Sequence, residues 1–207
     1  NELHNMKHMS ILAVSLLALV ACTPEKKQEA DYSQYVNPMI GTDFTGNTYP
    51  GAQVPFGMVQ LSPDNGLPGW DRISGYFYPD TTIAGFSHTH LSGTGAGDLY
   101  DISFMPVTRP YKEAPAPLGI YSTFSHNDEA ASAGYYRVLL KDYNINVELT
   151  ATERCGIQRY TFPEAEASVF LNLKKAMNWD FTLDSKIEVV DSTTIRGYRL
   201  SQGWSPL

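Results

Sequence analysis

Cysteine is scarce in this 207-residue sequence, which contains only Cys22 and Cys155. Neither belongs to a Cys-x-x-Cys pair, so zinc-finger and thioredoxin-like patterns are excluded. Basic charge is also scarce, because 15 Lys and Arg against 22 Asp and Glu give a net charge of −7 at pH 7, and no run of Lys or Arg occurs. Proteins that bind nucleic acid carry a basic patch. A nucleic-acid partner is therefore not expected.

The sequence also lacks an apolar run long enough to cross a membrane as a helix. Its apolar stretch from Ile11 to Ala21 is about half of the roughly 20 residues that a membrane-spanning helix requires. Because Lys7 precedes this stretch, it is typical of the core of a signal peptide. Residues 1–5 come before the first methionine, and we expect them to lie upstream of the true start of translation.

The apolar stretch ends in the sequence Leu-Val-Ala-Cys, which resembles the lipobox of bacterial lipoproteins. In those proteins the cysteine becomes the lipidated first residue, and several acyl chains together give lasting membrane attachment. The resemblance implies that residues 1–21 are a signal peptide, that Cys22 carries the lipid and that residues 22–34 form a tether. The protein would then be anchored by its lipid to the membrane of the bacterial cell envelope, on the periplasmic side or at the cell surface. Cys155 would be a single thiol, which we expect to be buried.

Residues 35–207 have the pattern of one all-β domain. Short runs rich in Val, Ile, Tyr, Phe and Thr are separated by Gly, Pro, Asn or Asp, and no window of a dozen residues shows a helical period. Many short strands with regular turns predict an antiparallel sandwich or a barrel. A short helix or turn is predicted over residues 127–132. The predicted strands cover residues 135–140, 145–150, 156–162, 168–173, 186–190 and 194–200.

The most informative segment is GFSHTHLSGTGAGD, residues 85–98. Side chains i and i+2 of an extended strand share a face, so His88 and His90 are expected to point the same way. Glycine at every second position from 93 to 97 would let a ligand or another segment approach the backbone closely. The segment therefore indicates a polar, directional site, for which sugars are typical ligands. A metal site formed by His88, His90 and a nearby Asp is an alternative.

Several loops in the first half are punctuated by Gly or Pro, and most carry aromatic residues. Pro and Gly fix turn geometry, so such loops can hold aromatic rings toward a ligand. The alternative is that they are merely long connections of a sandwich. These loops cover residues 37–42, 47–52, 54–58 and 69–71.

Taken in order, these motifs resemble the N-terminal domain of glycoside hydrolase family 92, a family of calcium-dependent, exo-acting α-mannosidases. The resemblance covers roughly residues 35–204, which is nearly the whole chain after the leader. The motifs that carry it are residues 36–42, 49–52, 54–64, 74–76, 85–95, 125–126, 134–136, 147–152, 159–163, 197–199 and 203–204.

The resemblance implies a two-domain enzyme in which an N-terminal β-sandwich packs on a C-terminal (α/α) helical barrel. Family members invert the anomeric configuration, which requires an acid and a base carboxylate roughly 6.5–9.5 Å apart. In the family those carboxylates, and most groups that position calcium, belong to the helical domain. We therefore expect no catalytic residue and no metal ligand in residues 35–207, which would form an incomplete sandwich domain without the catalytic barrel. The fragment alone is expected to be inactive.

The same resemblance implies that this domain supplies part of the pocket for α-mannoside glycans at the domain junction. An aromatic ring at position 49 could stack on a mannose ring, and the glycines could place backbone groups against sugar hydroxyls. If these loops lie at one end of a sandwich, they should converge on one patch. The candidate substrate-binding residues are Tyr49, Trp70, Asp71, His88, His90, Ser92, Gly95 and Asp98.

Two functions from other classes remain open at this point. Aromatic loops on a sandwich are sufficient for a free-standing carbohydrate-binding module. A metal-dependent hydrolase that uses His88, His90 and a nearby Asp within this domain is the other possibility.

Overall fold

The computed structural model describes residues 30–93, 97–116, 118–175 and 179–203. Contacts divide the chain into two units, residues 1–32 and 33–207, and the second contains every described strand. The predicted leader, the predicted lipidation site Cys22 and Gly95 lie outside the described residues. Within the described part of the chain, no helix has the length and apolar character that crossing a membrane requires.

The described residues form short strands and three single-turn 3₁₀ segments. The 3₁₀ segments are Ser33–Tyr35, Trp70–Arg72 and His126–Asp128. The strands are β1 (Ser62–Asp64), β2 (Thr82–Ile83), β3 (Gly85–Ser87), β4 (Ser103–Thr108), β5 (Glu113–Ala114), β6 (Gly119–Ile120), β7 (Ser122–Thr123), β8 (Glu129–Ser132), β9 (Tyr135–Leu140), β10 (Ile145–Ala151), β11 (Gly156–Thr161), β12 (Ala167–Asn172), β13 (Phe181–Val189) and β14 (Ile195–Gln202).

Two four-stranded antiparallel sheets form the body of the domain. The first has the strand order β1-β3-β4-β12, and the second has the order β11-β10-β9-β8, in which sequence neighbours pair as successive hairpins. Three smaller antiparallel pairs, β13-β14, β2-β7 and β5-β6, complete the described strands.

The core lies where the two four-stranded sheets face each other. Buried and more exposed side chains alternate along β10, so that Ile145, Val147 and Leu149 point inward, as expected for a strand with one buried face. Each fully buried side chain of this kind stabilises the fold by roughly 1.5–3 kcal/mol. The structure is therefore an antiparallel β-sandwich, which confirms the predicted all-β fold. Other core residues from the two sheets are Phe86, Met105, Val107, Tyr136, Val138 and Leu140.

The strands predicted from residue 135 onward are all present, with shifts of a few residues at their ends. The largest shift is at β13, which begins at Phe181 rather than at residue 186. A register shift between Thr182 and Asp184 interrupts the pairing with β14. Such an irregularity breaks the two-residue alternation on which strand prediction depends, and this hid the first half of the strand.

Two local predictions are corrected by the structure. The helix or turn predicted over residues 127–132 covers only His126–Asp128, because the next four residues pair with β9 as strand β8. Pairing with a neighbouring strand overrides a weak local signal. Cys155 is exposed rather than buried, because it lies in the tight turn between β10 and β11, where its amide donates to Thr152 Oγ1 at 3.1 Å.

Candidate functional site

Hydrogen bonds join the loops that carry the predicted site residues. The Gly93 amide donates to the carbonyl oxygen of Asn47 at 2.7 Å, which joins the glycine-rich segment to the loop before β1. Ser74 Oγ donates to the carbonyl oxygen of Thr48 at 2.9 Å, which brings the loop after β1 to the same place. The predicted convergence of these loops therefore has a structural basis among the described residues.

Tyr49 lines a cavity of about 400 Å³ within these loops. Its ring lies against the ring of His90, with centroids 5.2 Å apart, and its hydroxyl donates to Gln53 Oε1 at 2.7 Å. Burial raises the pKa of Tyr49 to about 12, so the phenol stays neutral at physiological pH. The other residues that line the cavity are Val36, Asn37, Pro38, Ile40, Thr48, Gly51, Gln53, Pro55, Ser92, Ser132, Ala133 and Gly134.

His90 is fully buried and uses both of its ring nitrogens. Nδ1 lies 2.7 Å from the carbonyl oxygen of Gln60, and Nε2 lies 2.8 Å from Oδ1 of Asp64. A carbonyl oxygen and a carboxylate can only accept hydrogen bonds, so both ring nitrogens face acceptors. His90 therefore has no free nitrogen to offer a sugar or a metal, and only its ring face reaches Tyr49.

Asp64 balances the positive charges around it. It accepts hydrogen bonds from His90 and from Ser87 Oγ at 2.8 Å each, and Lys175 Nζ lies 3.1 Å from Oδ2. Burial alone would raise the pKa of Asp64, but the charges of Lys175 and His90, with the bonds from His90 and Ser87, outweigh burial and lower it. The carboxylate is thus ionised and paired, as buried charges require.

Glycine is required at position 75 for the backbone to approach this charged group. Gly75 has a φ of 87°, and a Cβ there would lie 2.6 Å from Asp64 Oδ1 and 3.1 Å from His90 Cδ2. Both the positive φ and the lack of space exclude a side chain. The loop after β1 is therefore packed directly against the Asp64–His90 pair.

His88 does not share a face with His90, so that prediction is wrong. Strand β3 ends at Ser87 and His88 lies in a bend, which breaks the alternation that an extended strand would give. The His88 Nδ1 bonds to the carbonyl oxygen of Ile102 at 2.9 Å, and the ring lies edge-on to Phe104. His88 lines a separate cavity of about 430 Å³ formed with residues of β4, β12, β13 and β14, and burial lowers its pKa.

The alternative of a metal site at the two histidines gains no support from this arrangement. Such a site requires both rings to face one ion, whereas His88 and His90 bond to different partners. In the residues that the structure describes, no group of three or more His, Cys, Asp or Glu side chains could hold a metal ion.

Trp70 is half-exposed and opens the 3₁₀ segment Trp70–Arg72. Its ring meets the ring of Trp179 edge to face, with centroids 6.2 Å apart, and Trp179 is also half-exposed. Asp71 follows it in the same segment and is partly buried. Trp179 was not singled out by the sequence, because a lone tryptophan between two strand patterns carries no local signal.

Trp179 is followed by Asp180, whose carboxylate pairs with the guanidinium of Arg199. Arg199 pairs also with Asp101, and its Nη2 donates to the carbonyl oxygen of Lys175 at 3.0 Å. Burial raises the pKa of Asp180, and the Asp101 and Asp98 carboxylates reinforce the rise while Arg199 opposes it. Asp98 thus lies near this charged cluster.

The structure separates the predicted site residues into three groups. Tyr49 and Ser92 line the cavity, and His90 is buried against the ring of Tyr49. Trp70 and Asp71 lie on the loop that is hydrogen-bonded to the cavity loop, and Asp98 lies near the Arg199 cluster. His88 belongs to another cavity, and Gly95 lies outside the described residues.

The buried charges behind this site were not identified as functional from the sequence. Asp64 and Arg199 lie inside the motifs 54–64 and 197–199, which carry the family resemblance. Membership of these motifs was the feature of the sequence that could have identified them. Lys175 had no signal, because its burial depends on partners that lie far from it in the chain.

Residues 35–206 match the glycosyl hydrolase family 92 N-terminal domain. The structure is similar to that of BT3965, a family GH92 α-mannosidase of Bacteroides thetaiotaomicron solved in complex with mannoimidazole, with 43% sequence identity and a TM-score of 0.79 over 84% of this chain and 24% of that chain.

Two further relatives are more distant. The family GH92 inverting mannosidase BT2199 of Bacteroides thetaiotaomicron is 29% identical, with a TM-score of 0.67 over 86% of this chain and 24% of that chain. An uncharacterized secreted glycosidase of Arthroderma benhamiae is 26% identical over an alignment of 172 residues that covers 78% of this chain and 21% of that protein. The chain thus spans about a quarter of the length of the relatives it matches.

Proposed function

Because the chain belongs to the glycosyl hydrolase family 92 N-terminal domains, we propose that it forms one side of the sugar pocket of a secreted exo-α-mannosidase. The whole enzyme would hydrolyse terminal α-mannosides, including those of N-glycans, with inversion of configuration. The observation that carries this proposal is the cavity beside Tyr49, in a fold shared with mannosidases that are solved with a mannose-like ligand or described as inverting.

The chemistry of the cavity supports a sugar as its ligand. Binding pockets for small molecules combine apolar or aromatic walls with a few placed polar groups. Here the Tyr49 ring provides an aromatic wall, while the side chains of Gln53, Asn37 and Ser92 provide amide and hydroxyl groups. A mannose ring has an apolar face and a rim of hydroxyls, so it matches both kinds of surface.

We place the catalytic carboxylates outside this chain. Inverting hydrolysis needs one acid and one base with a water molecule between them, so both carboxyl groups must be free to reach the substrate. The buried carboxylates of this domain are already engaged. Asp64 is paired with two cations, and Glu129 accepts hydrogen bonds from Tyr76, Tyr136 and His126.

Calcium is the cofactor that the family resemblance implies. The residues that the structure describes contain no cluster of three or more metal-binding side chains, so this part of the chain does not by itself fit a calcium site. We propose that the ion of the whole enzyme is held mostly by groups outside this chain.

The proposal also gives a partner for the exposed apolar side chains around the cavity. Phe44 and Phe56 are 80% and 106% exposed, and Ile40 and Met58 are more than 70% exposed. These four side chains lie in the segment before β1, and exposed apolar groups that form a patch usually mark an interface. We propose that these loops face the C-terminal helical domain, so that the sugar pocket closes at the domain junction.

A carbohydrate-binding module is the second candidate function, and the half-exposed pair Trp70 and Trp179 favours it. We further propose that Cys22 anchors the protein by a lipid in the bacterial cell envelope, which would place either function outside the cytoplasm.

One experiment separates the enzyme from the binding module. The gene that carries this chain is expressed in full, and the purified protein is assayed on aryl α-mannoside while the anomer released is followed by proton NMR. Release of β-mannose supports the proposal. Binding of α-mannoside without hydrolysis would favour the module instead.

A further inference from the structure

Asp64 is the point at which three segments of the domain meet. It is fully buried, and its donors come from three different segments, namely Ser87 at the end of β3, His90 in the loop that follows and Lys175 after β12. Burying a charge is costly unless it is paired and hydrogen-bonded, and a buried ion pair is weak evidence for a gain in stability. Stability alone therefore does not account for the arrangement.

A chain of contacts joins Asp64 to the cavity through His90 and Tyr49. Asp64 holds Nε2 of His90 and the Gln60 carbonyl holds Nδ1, so the imidazole is fixed at both ends. Tyr49 lies against this ring with centroids 5.2 Å apart, and Tyr100 meets it edge to face with centroids 5.8 Å apart. A ring fixed in this way defines where the Tyr49 ring can lie.

The positions of neighbouring atoms leave the pair little freedom to adjust. The backbone at Gly75 passes so close to this pair that a methyl group there would collide with Asp64 and press tightly on His90. A change in the charge of Asp64 would therefore be transmitted to the His90 ring rather than absorbed by local rearrangement.

We infer that Asp64 is a positioning residue of the sugar site, which sets the orientation of the Tyr49 ring through His90. The inference rests on the proposed function, since it gives Asp64 a role only through the contact of Tyr49 with the sugar. In Asp64→Asn the side chain is uncharged, and its amide nitrogen donates hydrogen bonds in place of one accepting oxygen. It therefore cannot accept from His90, Ser87 and Lys175 together. The His90 ring then shifts, and Tyr49 loses the surface that supports it.

The first measurement is made without substrate. 3-Fluorotyrosine is placed at position 49 alone in the full-length protein, and its ¹⁹F chemical shift is compared before and after Asp64→Asn. The matched control is Glu129→Gln, which neutralises another buried carboxylate bonded to a histidine and to tyrosines. We expect the signal to move in Asp64→Asn and to stay in place in Glu129→Gln.

The second measurement is a double-mutant cycle on kcat/KM for an aryl α-mannoside, with Tyr49→Ala, Asp64→Asn and the pair. If Asp64 acts through Tyr49, its effect is largely lost when the ring is absent. We expect the loss in the double variant to be smaller than the product of the single losses by about fivefold or more, and Glu129→Gln to change kcat/KM less than about twofold.

The outcomes separate the inference from the function on which it rests. An unchanged ¹⁹F signal in Asp64→Asn, or an equal movement in Glu129→Gln, would overturn the positioning role. Where Tyr49→Ala itself lowers kcat/KM, single losses that simply multiply would also overturn it. If Tyr49→Ala leaves kcat/KM unchanged while the signal moves, the positioning stands and the sugar contact of Tyr49 falls. Should Asp64→Asn not fold, Ser87→Ala removes one donor from the carboxylate, and the same signal should move by a smaller amount in the same direction.

Discussion

Arg199 and Asp180 form a buried ion pair in which the two side chains are only 1% and 2% exposed. The guanidinium also pairs with Asp101 and bonds to the carbonyl oxygen of Lys175. Arg199 lies in β14, so one side chain joins the β13-β14 hairpin to the loops behind the candidate site.

Removing Arg199 should destabilise the domain strongly. In Arg199→Met the carboxylate of Asp180 stays buried without its cation, and breaking a buried pair in this way costs about 3–5 kcal/mol. The free energy of unfolding, measured by urea denaturation at pH 7, should fall by that amount.

Arg196→Met is the matched control for this substitution. Arg196 lies in the same strand and pairs with Glu188, but the two side chains are 69% and 45% exposed. An exposed pair is worth about 0–1 kcal/mol. Equal losses for the two variants would show that the Arg199 cluster contributes no more than a surface pair.

The stability contributed by Asp64 should disappear in acid. Burial would raise its pKa, but Lys175, His90 and Ser87 lower it below that of an unfolded aspartate. A group with a lowered pKa stabilises the fold above the unfolded value, near pH 4, and this contribution is lost as the pH falls through the folded pKa. The difference in unfolding free energy between the unsubstituted protein and Asp64→Asn should therefore narrow below about pH 4.

Asp180→Asn provides a contrast of opposite sign. Burial raises the pKa of Asp180, so ionised Asp180 lowers stability relative to its neutral form as the pH rises above the unfolded value. As the pH rises above about 4, the Asp180→Asn variant should therefore gain stability relative to the unsubstituted protein. If the difference in unfolding free energy from the unsubstituted protein changes with pH in the same direction for Asp64→Asn and Asp180→Asn, the opposite directions assigned to their two pKa shifts are wrong.

The sequence predicted the second sheet of this fold better than the first. Strands β9 and β10 have strict alternation and β-branched or aromatic residues, so local pattern and tertiary burial agree. Strands β1 and β3 have three residues each, and all of their side chains are buried. A short segment that is buried on both faces shows no alternation, so its pairing depends on contacts that the sequence does not reveal.

The candidate site divides in the same way. Tyr49, His90 and Ser92 were predictable because their loops carry a recognisable motif, and the structure brings them together. The orientation of His88 could not be predicted in this way. Strand β3 ends at Ser87, so His88 lies just outside the strand and does not follow the alternation assumed for it. Long-range ion pairs such as that of Lys175 with Asp64 were also beyond local inference.

The lipid anchor can be tested at Cys22, which lies outside the described residues. Cys22→Ser should abolish labelling by a fatty-acid analogue fed to the producing cells, because the thiol that accepts the lipid is lost. Cys155→Ser is the control, since Cys155 is the other cysteine and is exposed in the fold. Label that persists in Cys22→Ser and disappears in Cys155→Ser would reassign the site.

The role of Tyr49 in the pocket can be tested by comparing two substitutions in the full-length protein. Tyr49→Ala removes the ring, and kcat/KM on an α-mannoside should fall about two- to twelvefold, since an aromatic contact is worth roughly 0.5–1.5 kcal/mol. Tyr49→Phe loses only the hydroxyl that donates to Gln53 and should change kcat/KM less than about threefold.

Tyr111→Ala serves as the control for the loss of a tyrosine ring. Tyr111 packs edge to face against Phe170 and is 38% exposed, but it does not line the cavity of Tyr49. Its removal should lower the melting temperature without lowering kcat/KM. A similar loss of kcat/KM in both alanine variants would mean that Tyr49 acts through stability alone.

Residues 23–207 alone should not hydrolyse aryl α-mannosides, with or without calcium. Hydrolysis with inversion needs two carboxyl groups that can reach the substrate from opposite sides, and the buried acids Asp64, Glu129 and Asp180 are each held by partners within the fold. The measurement is turnover by the purified fragment beside the full-length protein at equal concentration. Circular dichroism must show β structure in the fragment, so that inactivity is not attributed to misfolding. Turnover that depends on calcium in the fragment would place the catalytic pair inside this domain and overturn its assignment as a pocket-forming domain without the catalytic groups.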